Sequence, residues 1–155
     1  MRLNLGCGAD IRTGYINIDR SPVSASPELF KLGDMQTLDW LTEDGTVNEI
    51  VAIDCLEYIP FELILQTLKN WTNKLIKGGI LKILVPDCHL VAKSFYLGQF
   101  NLNEFSQIIF GTQKENDTRL CVIDTNTLLN ILENLGLSII LKRYEGIAIY
   151  VEAEK

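Results

Sequence analysis

Gly6-Cys7-Gly8 stands directly after the apolar alternation Leu3 to Leu5. Glycines there let the main chain approach a ligand where a Cβ would clash, and they leave amide donors free to meet it. Asp19 closes the next alternation, Tyr15 to Ile18. A carboxylate at a strand end can accept hydrogen bonds from both vicinal hydroxyls of a ribose, a geometry few side chains match. Taken singly, the glycines read equally as a turn and Asp19 as a solvated acid. The combined spacing of Leu-Gly-Cys-Gly and Gly-Tyr-Ile-Asn-Ile-Asp is what favours a ribose-bearing ligand. A dinucleotide site would add a third glycine near position 11, where the chain has Ile11, which counts against nicotinamide chemistry. Farther along, Asp87 and the lone His89 follow an apolar strand. An imidazole there is suited to removing a proton near neutral pH; the alternative is that both residues cap the next helix or bond a neighbour.

Such residues act together only if strand ends are brought side by side, and the hydrophobic pattern supplies the strands. Asn48 to Cys55 reads as a buried strand. From Phe61 to Leu75, residues Ile64, Leu65, Leu68, Trp71, Thr72 and Leu75 recur at helical spacing. Pro60 suits that helix's first turn, and Lys77-Gly78-Gly79 reads as its basic end and glycine stop. Ile80 to Val85, rich in branched residues and closed by Pro86, is a further strand, and Leu90 to Gly111 divides near Gly98 into two short helices. Asp124 or Thr125 caps a helix over Asn126 to Leu135 that Gly136 ends. Ser138 to Tyr144 then pairs through Glu145-Gly146 with Ile147 to Glu152. Gly14 marks a turn, and Ser21 to Pro27 is a loop.

Alternating strands and helices predict an α/β, Rossmann-like, doubly wound and mostly parallel sheet, with a C-terminal antiparallel hairpin and ligands at the carboxyl ends of strands. A chain of 155 residues fits one domain, 1–155. Between Gly6 and Asp19 there is room for a loop or a single helical turn, so the first crossover helix is expected to be missing and the N-terminal region shortened. A net charge of −6 disfavours a polyphosphate partner. The opening lacks the apolar core of a signal peptide, and no apolar run reaches the roughly 20 residues of a membrane span. Cys7, Cys55, Cys88 and Cys121 form no CxxC pair, which suits reduced thiols in a cytoplasmic protein without structural metal.

Leu-Asn-Leu-Gly-Cys-Gly followed by Gly-Tyr-Ile-Asn-Ile-Asp resembles the opening of a compact group of class I S-adenosylmethionine-dependent methyltransferases, those like methyltransferase type 11. The resemblance continues through Leu56-Glu57-Tyr58-Ile59-Pro60, Leu75-Ile76-Lys77-Gly78-Gly79, Ile83-Leu84-Val85-Pro86-Asp87, Phe110-Gly111-Thr112-Gln113 and Leu132-Glu133-Asn134-Leu135-Gly136-Leu137. It implies S-adenosyl-L-methionine as cofactor, with Gly6 and Gly8 against the methionine portion, Asp19 on the ribose, and Asp34-Met35 flanking the adenine. Leu5 and Cys7 would line the same pocket. Asp54 and Glu57 would face the cofactor's amino-acid and methyl end. Asp34 also reads as a plain turn residue after Gly33. Tyr58 departs from the family, which usually carries histidine there, and a core-facing tyrosine is the other reading.

The resemblance further implies methyl transfer to a small-molecule or saccharide-type acceptor; for a hydroxyl acceptor Asp87, His89 or Asp54 could assist deprotonation, and a carboxylate or thiolate acceptor would need no base. Leu90 to Thr118, the stretch without a plain sheet role, would hold acceptor specificity, with Tyr96, Phe100 and Phe110 read equally as its lining and as core. A noncatalytic binding or regulatory module on the same fold is the alternative.

Overall fold

Leu3 and Leu5 turn to one side of a short strand and Asn4 to the other, and this division runs through the whole sheet. The computed structural model describes residues 1–23, 26 and 28–155; positions 24, 25 and 27 of the expected Ser21 to Pro27 loop lie outside the described residues. Strands β1 (Arg2–Leu5), β2 (Ile16–Asp19), β3 (Phe30–Leu32), β4 (Val47–Ile53), β5 (Leu75–Pro86), β6 (Ser138–Glu145) and β7 (Ala148–Glu154) form one sheet in the order β3-β2-β1-β4-β5-β7-β6. β1 to β5 pair in parallel, and β7 runs antiparallel between β5 and β6. The mostly parallel Rossmann-like sheet and its closing hairpin are thus as expected. From β1 the order steps one way to β2 and the other way to β4, so a crevice opens at the carboxyl ends of β1 and β4.

One face of the sheet is apolar. Leu3 pairs with Ile16 and Ile50, Ile50 with Leu81, and Leu81 with Ala153; the next row repeats this through Leu5, Ala52, Ile83 and Val151. Helices α1 (Phe61–Lys74) and α4 (Thr125–Asn134) cover these rows with Ile64, Leu68, Trp71, Leu128 and Leu132. Each such side chain stabilises the fold by roughly 1.5–3 kcal/mol when fully buried. Leu65, expected on the same helical stripe, is 54% exposed because it lies about 100° around the helix from Ile64, and buried Thr67 stands nearer the core instead.

The other face is mixed, with Asn4, Asn17, Glu49 and Lys82 beside Val51, Ile80 and Leu84, and a loop covers part of it. Residues 6–15 join β1 to the parallel β2 without a helix. A loop packed on a sheet brings backbone groups that need partners, and the register pair Asn4 and Asn17, both buried, supplies them. Asn4 Nδ2 donates to Asp10 O (2.6 Å) and to Asn17 Oδ1 (2.9 Å). Asn17 Oδ1 also accepts from Arg12 N, while its Nδ2 donates to Leu29 O. Beyond the loop the face carries the Lys82 to Glu49 ion pair (2.9 Å), with Tyr15 donating to the same carboxylate. The alternation of buried and half-open residues along β5 reflects this one-sided covering.

Helix α1 ends with Leu75 in an extended conformation as C-cap, not at the glycines. Lys77-Gly78-Gly79 instead lies within β5, where the pairing jumps from Val47 with Leu75 to Glu49 with Ile80. A Cβ on Gly79 would meet Ile76 O at 2.9 Å and Val47 O at 3.1 Å. Helices α2 (Cys88–Tyr96) and α3 (Leu102–Phe110) fill the segment read as two short helices, Asp124 caps α4, and three-residue β3 is an element the periodicity did not reveal. No helix among the described residues is long and apolar enough to cross a membrane.

Candidate functional site

A cleft of about 580 Å³ opens at the carboxyl ends of β1, β2, β3 and β4. Its floor is the turn after β1. Gly6 (φ +59°) lies so close to Cys55 that a Cβ would come within 2.5 Å of the Cys55 Cβ. Gly8 (φ +47°) has nothing among the described residues within 4 Å of the position its Cβ would take. Both backbones are in the region L side chains avoid; Gly6 is fixed by packing from below, and Gly8 leaves open space facing the cleft. Leu5 and Cys7, expected to line this pocket, are buried beneath it, and burial raises the Cys7 thiol to about 11. Cys55 is also buried and driven well above the ordinary thiol range, so both thiols are neutral.

Asp19 lies in the cleft wall with its carboxylate engaged from below. Oδ2 accepts from Gly8 N and Oδ1 from Ser21 N, each at 2.9 Å. Each oxygen keeps a lone pair, so Asp19 both ties the glycine turn to β2 and offers two acceptors to a ligand diol. Gly33, Asp34, Met35 and Gln36 form the next wall. Asp34 Oδ1 accepts from Gln36 N in a local turn (2.9 Å) while the residue also lines the cleft, so the turn and lining readings hold together. The loop is pinned to α1: Trp71 Nε1 donates to Met35 O (2.6 Å), Asn70 Oδ1 accepts from Leu38 N (2.9 Å), and buried Lys74 meets Asp39 (2.5 Å) and Asp44 (2.7 Å). Trp40 stacks against Gly33, where a Cβ would lie 2.2 Å from its ring, and donates to Asp34 O (2.9 Å).

The third wall is the turn after β4. Asp54 adopts φ +48°, a strained conformation for a residue with a Cβ, and its carboxyl is raised by desolvation, with the charge of Arg119 opposing. Tyr58 lines the cleft; its hydroxyl donates to Asp117 Oδ1 (2.8 Å), and Arg20 and Arg119 each stand 5.8 Å from its ring. The core-facing reading of Tyr58 is corrected by this placement. After α3, residues 111–121 return as a strap across the turn. Asp117 gathers Thr112 N and Oγ1 as well as Tyr58, which lowers its carboxyl to about 2. Asn116 lines the cleft, and its carbonyl accepts from Arg20 at 3.3 Å. On the strap's other side, Thr112, Asp117 and Arg119 join Phe100, Glu104 and Gln107 around a shallow hollow of about 390 Å³.

Three expected site residues stand elsewhere. Glu57 is 3% exposed and points away from the cleft, toward Arg119 behind the turn. Asp87 is buried and taken up structurally: Oδ1 caps α2 through Leu90 N (2.9 Å) and Oδ2 accepts from Thr125 N and Oγ1 (2.8 and 2.6 Å). His89 is exposed on the first turn of α2 and lines none of these hollows. Of the expected acceptor lining, Phe100 borders the shallow hollow, whereas Tyr96 (89% exposed) and Phe110 (50%) face outward. Gly33, Arg20 and Asn116 were not foreseen as lining. The Gly33-Asp34 pair was the available signal, obscured because β3 is so short.

No protein-family model and no curated protein matches the sequence. Solved structures do match its fold. An S-adenosylmethionine-dependent methyltransferase from Mesorhizobium loti superposes with a TM-score of 0.71 at 12% identity, over 99% of this chain and 90% of its own. One from Methanosarcina mazei gives 0.68 at 15% identity, over 99% and 91%. The 1,6-didemethyltoxoflavin-N1-methyltransferase of Burkholderia thailandensis, solved with 1,6-didemethyltoxoflavin and S-adenosylhomocysteine bound, gives 0.65 at 12% identity, over 99% and 70%. At such identities the likeness establishes a common fold.

Proposed function

The chain has the fold of the class I S-adenosylmethionine-dependent methyltransferases, and on that premise we propose that it binds S-adenosyl-L-methionine and transfers its methyl group to a small-molecule or saccharide-type acceptor. The observation that carries this reading is the joint placement of Gly8 and Asp19, an open glycine cradle hydrogen-bonded to a carboxylate that keeps two acceptor sites toward the cleft. Gly6 and Gly8 then meet the methionine portion, Asp19 the ribose hydroxyls, Asp34 and Met35 the adenine, and Asp54 the amino-acid and methyl end. Leu5 and Cys7 support the cradle from below.

The bound cofactor supplies a methyl group already activated by a sulfonium, so the protein's part is to hold acceptor and methyl in line and to exclude water. With Asp87 and Glu57 turned away from the cleft and His89 on the surface, Asp54 is the residue suited to accept a proton from an acceptor hydroxyl. Desolvation raises its carboxyl in that direction. This sparse supply of bases is also what supports the second reading, a binding or regulatory module without turnover.

Calorimetric titration of S-adenosylhomocysteine into wild type and Asp19→Ala, with NAD as control, tests the assignment. Loss of the ribose hydrogen bonds is expected to cost about 1.5–3 kcal/mol, at least a tenfold weakening of a micromolar complex. Absence of binding to wild type overturns the cofactor assignment. Cofactor binding without methylation of any member of a broad acceptor panel supports the second reading.

A further inference from the structure

Glu57 is 3% exposed, yet among the described residues neither carboxyl oxygen has a hydrogen-bond partner of good geometry, and Arg119 Nη1 stands 3.6 Å from Oε1. The Arg119 Nε is likewise buried and without a partner among the described residues, while its Nη1 donates to Ile108 O (2.7 Å). The backbone at this point is tightly joined: Glu57 O accepts from Leu120 N (2.7 Å) and Cys121 N (3.2 Å). A buried charged group with its partners incompletely placed is costly, and it is tolerated where the surroundings use it.

We propose that Glu57 is a positioning residue: with Arg119 it docks the strap of residues 111–121 against the turn after β4, and through Asn116 and the Asp117 to Tyr58 contact it sets the wall of the cleft opposite Asp19. The inference rests on the proposed cofactor reading only for what that wall encloses.

The docking is linked to a proton. Burial raises the Glu57 carboxyl from 4.5 to about 7, its own backbone N–H and then the charge of Arg119 pulling against the shift and Asp54 and Asp117 adding to it. The thiols of Cys55 and Cys121 are the neighbouring titratable groups on the turn and strap. β5, α2 and α3 present Val85, Cys88, Val91 and Ile108, which carry no charge. Lifting the strap returns Glu57 to water and to its ordinary value. The docked state therefore binds the proton more tightly: docking is strongest at low pH and weakens as pH rises through about 7.

Amide exchange at Leu120 and Cys121, corrected for intrinsic rates and measured without ligand, reads this directly. Between pH 6 and pH 8.5 protection in wild type is expected to fall on the order of tenfold. Glu57→Gln should show no such fall, and Arg119→Ala, which removes the opposing charge, should move it to higher pH. Flat protection in wild type overturns the proposal even if a variant fails to fold, and so does a fall that persists in Glu57→Gln or stays in place in Arg119→Ala. S-adenosylhomocysteine affinity should follow the same pH course in wild type but not in Glu57→Gln; an affinity indifferent to the strap overturns the link to the cleft wall. Because exchange is read without ligand, failure of the cofactor titration and failure of the docking proposal are separate results.

Discussion

Gly6 and Gly8 share a backbone conformation and differ in what surrounds them, which separates two roles that glycine plays in one turn. Gly6→Ala adds the strain of a positive φ and a contact with Cys55 too short to relax without moving the floor of the cleft. Strain of about 1–2 kcal/mol and overpacking of about 1–3 kcal/mol should together lower thermal stability clearly. Gly8→Ala carries the strain alone, since its Cβ meets open space. Its cost in stability is expected to be about 1–2 kcal/mol, and its larger effect should be on the ligand whose backbone approach the glycine permits. Thermal melts and S-adenosylhomocysteine titrations of both variants check this: Gly8→Ala should weaken binding at least tenfold while melting above Gly6→Ala.

The connection between β1 and β2 shows an element replaced by a hydrogen-bond network. A crossover helix satisfies its own backbone; a loop laid on a sheet does not. Asn17 serves Arg12 N and Leu29 O and bonds Asn4, which in turn holds Asp10 O. Asn17→Ala would leave Arg12 N and one Asn4 N–H unpaired, while Leu29 O keeps the Asn17 backbone N–H, and at about 1 kcal/mol or more for each the cost should reach about 2 kcal/mol or more. Chemical denaturation measures the loss, and exchange at the Arg12 amide localises it; an unchanged midpoint would show that water replaces the side chain. The same reasoning explains α1, whose Trp71, Asn70 and Lys74 hold the loop after β3 by specific contacts rather than by an intervening helix.

At the scale of the molecule, one apolar cluster spans β1, β2, β4, β5, β7, α1 and α4. A single core of this kind should unfold cooperatively. Of the two tryptophans, Trp71 lies in that core and Trp40 is 46% exposed beside the cleft. In Trp40→Phe, the fluorescence of Trp71 and far-UV circular dichroism should trace the same denaturation curve. Separate midpoints would show that the sheet and the α1 layer come apart in stages.

Much of this architecture was legible in the chain because it follows from local chemistry. Apolar alternation marks strands, the recurrence of Ile64, Leu68 and Trp71 marks α1, glycines mark positive φ, and the pairing of a glycine turn with a strand-end aspartate places both at one crevice. Other features depended on side chains distant in sequence. Asp87 and Asp19 are both acids at strand ends, yet Thr125 and the first turn of α2 take up one, while the other faces a cleft bounded by three further strands. Glu57 and Tyr58 are adjacent, yet the tight turn after β4 sends one away from the cleft toward Arg119 and the other into the cleft. The sequence by itself determined the elements other than β3, their alternation and the pairing of a glycine turn with a strand-end aspartate, since these rest on residues close together in the chain. Only the tertiary structure decided which acids face the cleft and which hold the fold, because burial and hydrogen-bond partners are set by where the chain returns.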